Sequence, residues 1–228
     1  VAYMTRTEAY LALNLLPKIG PVRVRKLLEV FGTPERLLSA KANEIERVEG
    51  FGRDLAQIIA GWESRIDLAR ELRRIHEMEL TLLTQEDDLY PSLLKEIHAP
   101  PLVLYVWGKL IERDRHAIGV VGSRQATHYG LNCAKKMSFQ IAYAGYTVVS
   151  GLARGIDTAA HEGALASKGR TVAVIGAGMA QLYPPENQAL AERIASQGAV
   201  VTEFPVDYPP DKQSFPLRNR IVAGWSTG

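Results

Sequence analysis

The chain has 228 residues, of which 46% are hydrophobic and 23% charged, so it is long enough for two domains and too apolar to be disordered. Its single cysteine cannot form an internal disulfide, no apolar run approaches the ~20 residues that span a bilayer, and no signal peptide is visible. We therefore expect a cytoplasmic protein without a membrane span. The formal net charge of +2 does not identify a nucleic-acid partner, but residues 101–228 carry 13 Lys/Arg against 9 Asp/Glu, whereas residues 1–100 carry 14 against 16.

The first part of the chain reads as helices only, and we predict a helical domain over residues 1–80. Two segments inside it, Leu16–Pro21 and Val48–Arg53, each place a tight turn ending in glycine before a helix. This is the helix-hairpin-helix pattern, whose turn amides can bind a DNA phosphate; αα-corners that close a small helical core are the alternative. Residues 62–79 are predicted to form one long, solvated helix.

A connecting segment is predicted over residues 81–108. Thr81–Leu83 and Leu102–Val106 read as short strands separated by proline-containing turns. We expect residues 109–228 to form a separate α/β domain.

This α/β domain opens with a strand, a turn and a helix. The apolar run from Ile118 stops at the turn Gly122-Ser123-Arg124, and a helical pattern starts about six residues later. Glycine allows close approach of an anion, the amides of the next helix point at it, and the serine hydroxyl and arginine fork complete a cradle. The turn is therefore a candidate phosphate site.

The same unit repeats further along the chain. Tyr146–Val149 is a second strand, Ser150-Gly151 a second turn, and Asp157 the expected N-cap of the following helix. Thr171–Ile175 and Ala199–Thr202 supply two more apolar strands, with helical patterns between them. This alternation predicts a doubly wound, parallel α/β sheet with an anion-binding edge at the carboxyl ends of its strands.

No cofactor, metal site or catalytic set is predicted. Gly176-Ala177-Gly178 follows the third strand, but a dinucleotide fingerprint requires a further glycine where Gln181 stands, and Glu203 as a ribose ligand is a weak signal. The five histidines are scattered, without Cys/His pairing. Asp157 and His161 read better as a cap and a packed side chain than as an acid/base pair.

A second candidate site lies in residues 212–220. Lys212, Arg218 and Arg220 are cations, and Phe215 and Asn219 add a ring and an amide, in a loop that is expected to end in a helix starting at Arg218. A groove that tracks phosphates and stacks bases needs these parts. The alternative is that Phe215 is a core residue and the arginines form ordinary ion pairs.

Four strings in this order resemble one protein family, the DNA-processing proteins DprA, also called Smf. They are GSRQATHYG, SGLARGIDTAAHEGAL, TVAVIGAGMAQLYPPEN and FPLRNRIVAG. The resemblance extends from about residue 10 to the end of the chain. It implies an extended Rossmann-like domain preceded by a small all-α SAM-like domain with helix-hairpin-helix turns.

The resemblance also implies a function. Such proteins are not known as enzymes; they bind and protect single-stranded DNA and load RecA onto it during natural transformation. Carried over to this sequence, phosphates would be held by the turn Gly122-Ser123-Arg124 with Gly151 beside it and by Lys212. A base would stack on or abut Phe215, and Arg218, Asn219 and Arg220 would line the same pocket.

The two ends of the chain suggest a fragment. It begins at Val1 without an initiator Met and ends at Gly228 just after a helical stretch, so we expect a truncated C-terminus. Family members continue into segments from which dimers are commonly built, so homodimerisation is expected of the full-length protein.

Two rival functions stay open at this point. One is a Rossmann nucleotide hydrolase of the lysine-decarboxylase-like group, whose P-G-G-x-G-T-x-x-E signature is absent here. The other is a duplex-DNA binder that uses the two N-terminal hairpins.

Overall fold

The computed structural model describes residues 4–228, so the first three residues of the predicted helical domain lie outside it. The chain divides into two compact units. One comprises the residues up to Met78 together with His98–Val103, and the other comprises Glu79–Ile97 and Leu104–Gly228. Each is described separately.

The first unit is helical. Its six helices are α1 (Arg6–Leu15), α2 (Pro21–Phe31), α3 (Pro34–Ser39), α4 (Ala42–Glu46), α5 (Arg53–Ala60) and α6 (Leu68–Glu77). Thr5 and Glu8 form a capping box at the start of α1, and proline opens α2, where its missing N–H costs no hydrogen bond. A core without solvent exposure is formed by Leu11, Leu13, Leu27, Leu37, Ile45 and Ile59.

The two predicted hairpins are present, as the turn between α1 and α2 and the turn between α4 and α5. Gly20 and Gly52 precede α2 and α5, and neither helix has a side-chain cap. The single long helix predicted over residues 62–79 is wrong. A 3-10 turn at Trp62–Ser64 is followed by a separate α6, because the Asp67 carboxylate accepts a hydrogen bond from the Arg70 amide (2.9 Å) and caps a new helix there.

The second unit is built on a six-stranded sheet. Its strands are β1 (Thr81–Thr84), β2 (Val103–Gly108), β3 (Ala117–Gly119), β4 (Thr147–Ser150), β5 (Thr171–Val174) and β6 (Ala199–Thr202), in the spatial order β1-β2-β6-β5-β4-β3. Strands β3 to β6 are parallel neighbours, in register Ala117↔Thr147, Val148↔Thr171 and Val172↔Ala199. The predicted α/β Rossmann-like fold is confirmed.

The direction of β2 departs from an all-parallel sheet. Tyr105 pairs with Thr202 in an antiparallel ladder, so residues 81–108, which were expected to connect two domains, contribute strands to the sheet itself. A fully buried strand reads as a continuous apolar run in either direction, so the sequence could not show its orientation.

Five helices accompany the sheet: α7 (Ser92–Lys95), α8 (His128–Tyr143), α9 (Ile156–Ala166), α10 (Gln188–Gln197) and α11 (Ser214–Trp225). Alternate residues of β4 face opposite layers, since Val149 packs in the core that includes Trp225 of α11, whereas Val148 packs with Ala160 of α9 and Ala142 of α8. Helices thus cover both faces. The carboxyl ends of β3, β4 and β5, their following loops and the start of α11 meet at one edge.

Candidate functional site

A cavity of about 710 Å³ lies at this edge, and we call it the strand-end pocket. Its charged lining residues are Arg124 from the loop after β3, Asp157 from the first turn of α9 and Arg218 from α11. Asn219 and the backbone at Gly122 also line it. The loops after β3 and β4, the two turns that were predicted to form one anion-binding edge, therefore line the same pocket as α11.

The carboxylate of Asp157 lies at the second predicted anion-binding turn, Ser150-Gly151. Its Oδ2 accepts hydrogen bonds from the amides of Gly151 (3.2 Å) and Ala153 (3.4 Å). The prediction of Asp157 as an N-cap is wrong, because the cap residue is Gly155 and Asp157 lies inside α9. Burial raises the pKa of this carboxyl, while Arg218 and the backbone amides oppose the rise. The amides of Gly151 and Ala153 are thus already hydrogen-bonded within the chain.

Arg218 is buried, with 4% of its surface exposed. Its Nη1 donates to the carbonyl oxygens of Gly151, directly after β4, and of Val174, the last residue of β5, and its Nε donates to the Asn219 side chain (3.0 Å). Burial lowers the pKa of Arg218, and the nearby Asp157 carboxylate opposes that shift. A Cβ at Gly151 would lie 2.6 Å from the Arg218 guanidinium carbon, so only glycine fits there. Arg218 therefore joins three elements at the floor of the pocket.

The Gly122-Ser123-Arg124 turn differs from a cradle of helix amides. Helix α8 starts at His128 with Thr127 as its cap, so its first amides do not open directly from this turn. Ser123 Oγ is engaged locally, accepting from the Gln125 amide (3.1 Å) and donating to the Gln125 carbonyl (3.0 Å). The exposed side chain of Arg124 is the part of the turn that remains available to an anion.

Phe215 lies beside Arg124 in a half-buried position. The Arg124 guanidinium carbon is 5.1 Å from the centre of the Phe215 ring, and the Tyr183 ring is 5.8 Å away on a 51° tilt. Arg154 lies 5.8 Å from the Tyr183 ring and pairs with Glu186. Two adjacent rings thus lie between two cations along this rim of the pocket, and we call Arg124, Phe215, Tyr183 and Arg154 the aromatic rim.

Gly176, which follows β5, takes part in this packing. A Cβ at Gly176 would lie 2.9 Å from ring atom Cδ1 of Phe215, and the Gly176 carbonyl accepts from Ser214 Oγ (2.5 Å). The Phe215 ring therefore packs directly against the backbone at Gly176, where a side chain would displace it.

Helix α11 begins at Ser214, so the prediction of a loop through Pro216 and a helix from Arg218 is wrong. Pro216 stands in the first turn, where no intrahelical donor is required. Asp211 Oδ1 accepts hydrogen bonds from the amides of Gln213 (2.5 Å) and Ser214 (2.8 Å). The bond from Ser214, a further bond from the Tyr208 hydroxyl and the bond from Gln213 lower the pKa of Asp211. Lys212 is exposed in this turn and makes no ion pair with a described residue.

The early start of α11 separates Arg218 from Arg220. Residues two apart on a helix point about 200° apart, so Arg220 faces away from the pocket. It forms a bidentate pair with Glu203 (2.8 and 2.5 Å), and burial raises the pKa of that carboxyl while Arg220 opposes the rise. The structure therefore brings Arg124, Arg218 and Asn219 to one pocket but leaves Arg220 outside it.

His161 is a packed histidine. It is fully buried, and its Nδ1–H donates to Thr171 Oγ1 (2.7 Å), whose own hydrogen is directed to the Val148 carbonyl. Burial, with a smaller effect of Arg218, lowers the pKa of His161 to about 3.

In the described chain, no group of three His, Cys, Asp or Glu side chains could hold a metal ion. None of the helices between residues 4 and 228 is long and apolar enough to cross a membrane.

Tyr183 and Arg154 are site residues that the sequence analysis did not identify. Both lie within strings that carry the family resemblance, so that resemblance was the available signal. Their place beside Phe215 depends on how the loops after β4 and β5 pack.

A family model and the relatives named below agree on one family for this chain. The model of the family described as DNA recombination-mediator protein A matches residues 81–228, and a SAM-like helix-hairpin-helix tandem matches residues 10–64. Protein Smf of Synechocystis is 38% identical over 224 residues, covering 96% of this chain and 56% of the relative. DNA processing protein DprA of Bacillus subtilis is 38% identical over 163 residues, covering 71% and 54%. The chain thus spans about half the length of the curated relatives it matches.

Two solved structures are similar. DNA processing protein A of Streptococcus pneumoniae matches with a TM-score of 0.80 at 31% identity, over 97% of this chain and 75% of that one. DNA processing protein A of Helicobacter pylori, a structure that concerns that protein's mode of binding single-stranded DNA, matches with a TM-score of 0.58 at 28% identity, over 65% and 67%.

Proposed function

Because this chain belongs to the DNA recombination-mediator protein A family, also called DprA or Smf, we propose that it binds single-stranded DNA at the strand-end pocket and its aromatic rim. The observation that carries the proposal is the half-buried Phe215 ring, whose centre lies 5.1 Å from the carbon of an exposed guanidinium and which lies next to a second ring. Stacking rings between cations suit a strand whose bases are unpaired. The similarity to the Helicobacter pylori protein supports the same reading.

Each site residue has a separate role in this proposal. Arg124 and Lys212 contact successive phosphates, and one base stacks on Phe215. Gly122 and Ser123 hold the loop that carries Arg124, and Gly151 makes room for Arg218. Arg218 and Asn219 present polar groups to the pocket, whereas Arg220 acts only through its pair with Glu203. Because phosphates and ring faces are common to all nucleotides, binding should depend little on base sequence.

The cellular role follows the family. We propose that the full-length protein is a cytoplasmic, non-enzymatic mediator that protects incoming single-stranded DNA and loads RecA onto it during natural transformation. Homodimerisation of the full-length protein is part of the same proposal.

Fluorescence anisotropy with single-stranded and duplex oligonucleotides of equal length, across a salt series, tests this function. We expect tighter binding of the single strand at every salt concentration, because a duplex hides the base faces that Phe215 and Tyr183 would stack on. Equal or tighter binding of duplex would contradict the proposal.

A duplex-binding role of the hairpins is the second candidate. It is favoured by one observation: α2 and α5 both start after a glycine without a side-chain cap, and Arg23, Arg25 and Lys26 lie close to the first turn. A chain starting at Glu79 separates the two functions, since it keeps the whole sheet and the strand-end pocket. Loss of nearly all single-strand affinity in that chain, while it remains folded, would favour the hairpins.

A further inference from the structure

Helix α8 carries an exposed aromatic face that the proposed pocket does not use. Its inner face is buried at Ala134, Ser138 and Ala142. Tyr129 and Tyr143 are 80% and 78% exposed, the highest values among the large hydrophobic side chains of the described chain. Residues spaced by three and four lie on one side of a helix, so Tyr129, Cys133, Lys136, Gln140 and Tyr143 form a single line, which we call the α8 stripe.

The charge of α8 is complementary to a polyanion. The helix contains no Asp or Glu, and its two lysines differ in their surroundings. Lys135 pairs with Glu162 of α9 (3.1 Å), whereas Lys136 is exposed in the middle of the stripe without an ion pair to a described residue. The stripe thus offers the same two kinds of group as the aromatic rim, exposed rings and a cation, which together bind unpaired bases and phosphates.

The first turn of α8, which carries Tyr129, adjoins the loop that carries Arg124. Gly122 lies against Ile156, since a Cβ there would be 2.7 Å from its Cγ1, and Gly130 in the first turn of α8 would place a Cβ 3.6 Å from its Cδ1. The loop that carries Arg124 and the start of α8 thus rest on the same side chain. From Tyr129 the stripe extends about 21 Å to Tyr143, at 1.5 Å per residue.

Resting on the single-strand binding proposed above, we propose that the α8 stripe extends the DNA path beyond the strand-end pocket. Bases stack on Tyr129 and Tyr143, and Lys136 contacts a phosphate between them. The stripe increases the length of strand that one chain covers and adds no sequence preference, because rings and phosphates are present at every nucleotide.

Cys133 gives a direct test, since it is the only cysteine and lies within the stripe. The rate of its alkylation by iodoacetamide is measured for the free chain and with saturating oligothymidylate of about 6 or about 18 nucleotides, lengths near the lower end and above the upper end of common single-strand site sizes. We expect the long oligonucleotide to slow alkylation at least about fivefold and the short one to leave it nearly unchanged. Equal rates with both oligonucleotides bound would overturn the inference.

Variants provide an independent measurement. Tyr129→Ala and Tyr143→Ala should each weaken binding of the long oligonucleotide about 5-fold or more without changing affinity for the short one, and the Tyr→Phe variants should retain binding because the ring remains. Lys136→Ala should weaken long-strand binding, with Lys135→Ala as the matched control. Identical effects of the two lysine variants would argue against a phosphate contact at Lys136.

The outcomes separate this inference from the proposed function. If the short oligonucleotide does not bind, the proposed function itself fails. If it binds normally and the long one binds no tighter, with the tyrosine variants unaffected, only the extension along α8 fails. If alkylation of Cys133 slows with rising protein concentration in the absence of DNA, the stripe is a contact between two copies of the chain, and the inference is overturned.

Discussion

Phe215→Ala examines the residue whose packing and binding roles are most closely linked. The ring is half-buried, with Gly176 next to its Cδ1 atom, the Arg124 guanidinium over the ring and the Tyr183 ring tilted beside it. The substitution removes the stacking surface and both ring contacts but leaves the helix start intact, because Asp211 and Ser214 fix it through backbone bonds.

The two losses differ in size. Removal of one aromatic pair and one cation–π contact should lower the free energy of unfolding by about 1 to 2.5 kcal/mol, which is less than the ~3 to 5 kcal/mol for a fully buried phenylalanine. Loss of one stacking platform should cost about 1 to 3 kcal/mol of single-strand affinity, or roughly 5- to 150-fold in Kd.

Urea unfolding and anisotropy on the same samples measure both quantities, and Phe215→Tyr is the control that keeps the ring. Gly176→Ala adds a second test, because its methyl group would lie 2.9 Å from the ring and displace it without removing it. This variant should stay folded and bind single-stranded DNA more weakly. A stability loss of about 3 to 5 kcal/mol in Phe215→Ala, with full affinity in the folded fraction, would refute the stacking role.

Three further predictions concern charge and pH. Arg124→Ala and Lys212→Ala should each reduce the slope of log K against log salt for single strands by about 0.7, with Arg193→Ala on α10 as an unaffected control; unchanged slopes would place the phosphate contacts elsewhere. His161 has a pKa of about 3 in the folded chain against 6.5 ordinarily, so below pH 6.5 only the unfolded chain takes up its proton and stability falls. His161→Asn should therefore remove a dependence of up to about 1.4 kcal/mol per pH unit, seen by chemical unfolding between about pH 7 and pH 5, and an unchanged dependence would show that this histidine is not the cause. The pKa of Asp211 lies below its ordinary 3.8, so its stabilisation is present above that pH and is lost as the pH falls through the folded pKa. Asp211→Ala should lower Tm at neutral pH, and on acidification its Tm should fall less than that of the parent chain. Parallel curves of Tm against pH for the two chains would contradict this.

Local signals in the sequence were enough for the main elements of the α/β unit. Apolar runs that stop at glycine or serine located β3 to β5, an apolar run before Glu203 located β6, and the glycine turns located α2 and α5, because strand and helix starts depend on nearest neighbours in the chain. The same local chemistry made Arg124, Lys212 and Phe215 candidates. Their DNA contacts stay predictions.

Tertiary structure decided how those candidates are used. The sequence could not show that the Asp157 carboxylate accepts a hydrogen bond from the Gly151 amide, because that bond depends on α9 packing against β4. Nor could it show that α11 starts at Ser214, which turns Arg218 into the pocket and Arg220 towards Glu203. Residue type and spacing determine which groups can bind a phosphate. A buried cation or carboxylate, however, pairs with the protein group that the packed elements bring within about 3 Å of it, and only the folded chain sets that distance.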